Sequence, residues 1–220
     1  MKKPTKEKIM DAALTVFAEK GFQEATISDI SKVAETSDAT LYEYFTGKEA
    51  LLFAISKVRT EKFINLMNDT LPYIRGAENK LWAFVQANLT RYQADPLYTA
   101  VGLLELKTNR RYHKSEEYQT IRKVARMLLD IIKEGIASGV FRNDLDPLMM
   151  RSMILGTIEH ICIRRHLLGV PVNLPDYIEP IVNLVLYGAK PRVSSRNYRI
   201  DLQISEGKIE CRELSDAGGK

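Results

Sequence analysis

A chain of 220 residues with 45% apolar and 27% charged residues is long enough to bury one or two cores and reads as an ordinary soluble protein. Its net charge of +4 does not by itself mark a nucleic-acid binder, because residues 1–60 carry nine Lys/Arg against nine Asp/Glu. Two cysteines, Cys162 in an apolar run and Cys211 in a polar tail, argue against a disulfide framework. No apolar run reaches the roughly 18 residues of a membrane span, and the opening MKKPTKEK leads into an amphipathic segment, so a cytoplasmic location is expected.

Ile9, Ala12, Ala13, Val16 and Phe17 recur at three- and four-residue steps, which predicts a first helix stopping at Gly21. Thr26 is followed at the third position by Asp29, a capping-box start for a short second helix through Ile27, Ile30 and Val33. Ser37 caps a third helix to Phe45, and Thr46 with Glu49 is read as the start of a fourth through Leu52, Ile55 and Val58. Short helices separated by so few residues must cross steeply, as a helix-turn-helix does, with the third as the reading helix.

At 100° per residue, Leu41 and Phe45 mark the buried side of that third helix and Glu43 the centre of its outer face. Tyr42 and Tyr44 stand on the two shoulders. A helix in a major groove has a phosphate backbone on either side, so each phenol suits a positioning contact, while Ser37, Thr40 and Glu43 suit specification. Lys48 and the amides near Thr26 and Ser28 converge on the same surface. The local basic groups Lys2, Lys3, Lys6 and Lys8 open the chain, and Arg110, Arg111, His113 and Lys114 read as a solvated loop.

"IMDAALTVFAEKGFQEATISDIS" and "ATLYEYFTGKEALLFAI", with the helices after them, resemble the tetracycline-repressor (TetR) family of bacterial transcription regulators. The resemblance spans residues 6 to about 188. It implies an all-α homodimer in which an N-terminal three-helix domain binds a palindromic operator as a repressor. A larger C-terminal helical domain would bind a small apolar effector that releases the DNA. Carried over by position, the DNA contacts fall on Thr26, Ser28, Thr36, Ser37, Thr40, Tyr42, Tyr44 and Lys48. The chain departs from the family where Ala-Gly-Val-Ser is common in the turn. It has Ala34-Glu35-Thr36-Ser37 and then Asp38, so Glu35 must adopt the backbone angle usual for that glycine.

Longer helices follow. Trp82, Val85, Leu89 and Tyr92 are assigned one face of a fifth, Pro96 interrupts it, and "LYTAVGLLELKTN" forms a sixth segment. Ile121, Val124, Leu128 and Ile132 line a seventh, Leu148–Leu168 an eighth and Asp176–Tyr187 a ninth. The last two are apolar on more than one face, which suits a four-helix dimer interface built from residues 146–168 and 176–188. Expected effector contacts are Trp82, Val85, Leu89, Tyr92, Leu103, Glu105, Met127, Met153 and Glu159, from adaptable apolar groups and carboxylates in apolar helices. "LLELKTN", "LLDIIKEGIASGVF" and "MILGTIEH" are similar to the fatty-acid-degradation repressors of the family, which implies an acyl-CoA effector.

The expected organisation is a DNA-binding domain over 1–50, an effector-binding and dimerising domain over 51–190, and a tail over 191–220. The tail alternates through Tyr198, Ile200, Leu202 and Ile204 before Glu206-Gly207, so it is either a hairpin or disordered. The rival reading as an enzyme rests on Cys162 and His166 four apart with Glu159 nearby, but nothing elsewhere completes a metal shell or a catalytic set. Neither catalysis, metal nor cofactor is expected. A second rival is a helical ligand-binding dimer that no longer reads DNA.

Overall fold

The computed structural model describes residues 6–190 and the backbone of 199–205 and 208–214. Lys2, Lys3, Tyr198 and Glu206-Gly207 lie outside the described residues. The first of two compact units ends at Lys190 and is helical; the second, from Pro191, contains two strands.

Helix α1 spans Lys6–Glu24, broken at Gly21, whose φ of 76° suits a residue without a Cβ. The break lets Phe22 fold back against Phe17, ring centroids 5.3 Å apart. Helix α2 (Ile27–Val33) starts at the expected capping box: the Asp29 amide donates to Thr26 Oγ1 at 3.1 Å, and the Thr26 amide to Asp29 Oδ2 at 3.1 Å. Ser37 caps α3 (Asp38–Tyr44) by accepting from the Thr40 amide. Between them Glu35 has φ 51°, the left-handed backbone that the missing glycine implied. Its carboxylate meets Lys8 Nζ of α1 at 2.6 Å.

Helix α4 (Lys48–Thr70) starts differently from the reading above. Gly47 is its N-cap with no side-chain hydrogen bond. Thr46 and Glu49 form no capping box, because Glu49 instead accepts from Asn109 at 3.2 Å and from Arg111 at 3.1 Å. The helix runs unbroken past residue 50 and joins two cores. Leu51, Leu52 and Ile55 belong to the one built on α1–α3, whereas Phe63 and Met67 belong to the C-terminal one.

Helices α5 (Ala77–Ala94) and α6 (Pro96–Val101) are separated by Asp95, which caps α6 by accepting from the Tyr98 amide. A wide π-turn, Gly102–Leu106, follows. Helices α7 (Tyr118–Ala137), α8 (Pro147–Leu168) and α9 (Ile178–Ala189) complete the unit. No described helix is long and apolar enough to cross a membrane. In the second unit, β1 (Arg199–Ser205) and β2 (Lys208–Leu214) pair antiparallel, with Ser205 opposite Lys208. Two residues connect them, as the hairpin reading required.

Candidate DNA-reading surface and effector cavity

On α3, Leu41 and Phe45 are buried while Tyr42 and Tyr44 remain 55% and 37% exposed. The rings therefore stand on the surface the periodicity assigned them. Ser28 is exposed, and Thr36 is half-buried with its amide on the Ser31 carbonyl at 2.9 Å. The hydroxyls of Ser37 and Thr40 are 3.0 Å apart, and that of Thr26 donates to Asp29 at 2.7 Å. These capping residues are present at the surface with their geometry already fixed. The Lys20 ammonium beside Asp29, helped by the Thr26 hydroxyl and amide, holds the Asp29 carboxyl down at about 2.

Lys48 is not a free surface cation. Its ammonium donates to the carbonyls of Phe22, Gln23 and Ala25 at 2.8, 2.7 and 3.0 Å and lies 4.9 Å from the Phe22 ring centroid. All three of its protons are thus engaged, and it ties the end of α1 to the start of α4. The basic loop is not simply solvated either. Arg111 reaches Glu49 of α4, and His113 faces a cavity while meeting the Lys107 carbonyl at 2.9 Å.

That cavity, about 420 Å³, is walled by α4–α8 and the π-turn, within the usual range for small-molecule sites. Three of the expected contacts line it: Tyr92, Leu103 and Glu159. Glu159 is ion-paired with Lys107. Burial pushes the Tyr92 phenol up to about 12, so it stays a neutral donor.

The other expected contacts lie elsewhere. Val85 and Leu89 are fully buried in the core, and Trp82 is 38% exposed on a different face of α5. Leu81 and Phe84 hold the inward positions that Trp82 had been given. Glu105 borders a separate cleft with Arg110 and Arg111, Met127 packs by Met67 and Leu71 at the far end of α4, and Met153 is 64% exposed on α8.

What the spacing missed is a cluster of hydroxyls. Ser56 Oγ, fully buried on α4, lies 2.5 Å from the Tyr112 hydroxyl and 3.3 Å from that of Tyr98. Tyr118 and His113 stack edge-on beside Tyr112. The signal available was Ser56 itself, a polar residue at a position of the α4 pattern that Leu52 and Ile55 mark as inward.

Cys162 and His166 border a shallow cleft at the end of α8. Burial pushes the Cys162 thiol up to about 12, which keeps it protonated and a poor ligand or nucleophile. Among the described residues no group of three or more potential metal ligands gathers.

Comparison with known proteins agrees with this geometry. Residues 9–55 match bacterial regulatory proteins of the tetR family, and residues 56–188 match the YsiA-like protein C-terminal region. The chain is 31% identical over 158 residues to the fatty acid metabolism regulator protein of Bacillus subtilis, covering 72% of this chain and 81% of that one. The structure of the FadR regulator from Bacillus subtilis in complex with stearoyl-CoA superposes with a TM-score of 0.78. It is 28% identical, covering 84% of this chain and 99% of that one. The fatty acid degradation regulator FadR from Bacillus halodurans gives 0.74 at 27% identity, over 84% and 100% of the two chains.

Proposed function

Because the chain belongs to the TetR family of bacterial regulatory proteins, we propose that it is a homodimeric repressor whose affinity for a palindromic operator is lowered by an acyl-CoA effector. The single observation that carries this reading is the double membership of α4. Its first turns pack the helix-turn-helix, and Ser56 five residues later than Leu51 walls the cavity. A ligand in the cavity touches the same rigid element that sets the reading helices, which is the differential contact that coupling between two sites requires.

The DNA-contact set is Ser28, Thr36, Tyr42 and Tyr44, with Thr26, Ser37 and Thr40 presenting the caps; Lys48 acts by holding the α1–α4 corner. The reading domain takes in residues 1–50 and the effector domain 51–190, sharing α4. Dimerisation uses α8 and α9, whose outer faces expose Leu148, Met149, Met153, Leu184 and Tyr187, an apolar patch that suits a matching copy. An acyl-CoA effector is supported by the likeness to the regulator solved with stearoyl-CoA, and a cytoplasmic location goes with this reading.

The test is selection of bound duplexes from a random pool, then fluorescence anisotropy on the recovered sequence with stearoyl-CoA titrated in. A palindromic consensus and at least tenfold weaker binding with effector are expected. No consensus at any salt concentration would leave only a ligand-binding helical dimer.

A further inference from the structure

Arg91, on α5, lines the cavity with a charge that no described carboxylate answers. Its Nη2 donates to Asn88 Oδ1 at 3.1 Å, while its buried Nε has no acceptor. No described carboxylate ion-pairs with it. Glu159, the one carboxylate among the described residues of the cavity lining, is taken by Lys107. Arg142 offers the contrast: its Nε also lacks a hydrogen bond, yet Asp144 stands 3.4 Å away to answer the charge.

The guanidinium is also held in place. It stacks 4.3 Å from the Phe63 ring centroid and 4.6 Å from that of Tyr92. The Asn88 side chain that orients it is itself buried and anchored, Nδ2 donating to the Phe84 carbonyl at 2.9 Å. A fixed, partly desolvated cation with an idle N–H is costly unless an acceptor completes it, and a rigid fork beside a cavity is the arrangement that recognises a planar oxygen group.

Resting on the effector reading above, we propose that Arg91 is the specificity-determining residue of the cavity and donates to a carbonyl or carboxylate oxygen of the effector. The acyl group is therefore held by its oxygen end at α5, with the neighbouring Leu103, Leu106, Ile121 and Leu155 packing its apolar part. At about 30 Å³ for each water-sized group, the cavity holds only a compact segment of a ligand, so a long chain or a nucleotide carrier extends through the mouth.

Isothermal titration of the full-length protein with decanoyl-CoA and with decanoate tests this, using Arg91→Met, Arg91→Lys and the cavity-filling Ala125→Phe. Arg91→Met should weaken the better-bound probe by about 10- to 100-fold, with Arg91→Lys in between. Loss confined to decanoyl-CoA identifies a thioester carbonyl, and loss confined to decanoate a carboxylate. If both probes bind Arg91→Met and Arg91→Lys within twofold of wild type while Ala125→Phe abolishes binding, the role of Arg91 is overturned and the effector cavity stands. If Ala125→Phe binds normally as well, or neither probe binds wild type, the effector reading itself falls and takes the inference with it.

Discussion

Ser56 Oγ and the Tyr112 hydroxyl lie 2.5 Å apart although the residues are 56 positions distant in sequence. Burial pushes the Tyr112 phenol far above its ordinary range, so it stays protonated. This bond joins the loop at the cavity wall to the middle of α4.

Tyr112→Phe isolates that bond. Ser56 keeps its 3.3 Å contact with Tyr98, so the loss is about 1 kcal/mol, or a melting temperature lower by about 2–4 °C. The ratio of operator Kd with and without acyl-CoA should fall several-fold. An unchanged ratio would place the coupling elsewhere, for instance in the Arg111–Glu49 contact to the first turn of α4.

Lys48→Met separates a structural tie from a phosphate contact. Removing three charged hydrogen bonds to the end of α1 should cost about 2 kcal/mol and lower the melting temperature by about 4–8 °C. DNA affinity should drop with the slope of log Kd against log salt unchanged. A lysine that neutralised a phosphate would instead reduce that slope by about one.

Acid should loosen the start of α2. Asp29 is depressed from 3.8 to about 2, first by Lys20. A lowered carboxyl contributes stability above its unfolded value, and that contribution disappears as pH falls through the folded one. Melting curves between pH 5 and pH 2 are therefore expected to fall more steeply for wild type than for Asp29→Asn, the two converging near pH 2. Parallel curves would mean the pair with Lys20 is inert.

Much of the reading surface was legible because its determinants are local. A capping box is three residues long, and Thr26 with Asp29 formed it; the absent turn glycine announced the positive φ of Glu35. Thr46 with Glu49 has similar spacing, but the carboxylate found Asn109 and Arg111, partners about sixty positions away that no local rule reveals. The cavity was illegible for the same reason. Its polar end draws Ser56, Tyr98 and Tyr112 from three segments, whereas of the methionines that suggested a pocket by composition Met153 faces outward on α8 and Met127 packs by the far end of α4. Trp82 fails through periodicity alone: Leu81 one position earlier takes the inward side, so the larger ring turns toward solvent.

The two phenols of α3 give the sharpest test of the DNA surface. Because Tyr42 and Tyr44 are 55% and 37% exposed, replacing either with Phe should leave the melting temperature unaltered. Each lost hydrogen bond to a phosphate should weaken operator binding by about 1 kcal/mol, roughly fivefold, and the double Tyr42→Phe/Tyr44→Phe variant by about 25-fold if the shoulders act independently. Phosphates carry no base identity, so the loss should be uniform when anisotropy is measured on the consensus operator and on single-base variants of it. A loss that varies with the base would move that tyrosine from the backbone into the groove, and the helix would have to be rotated about its axis relative to the duplex to bring it there.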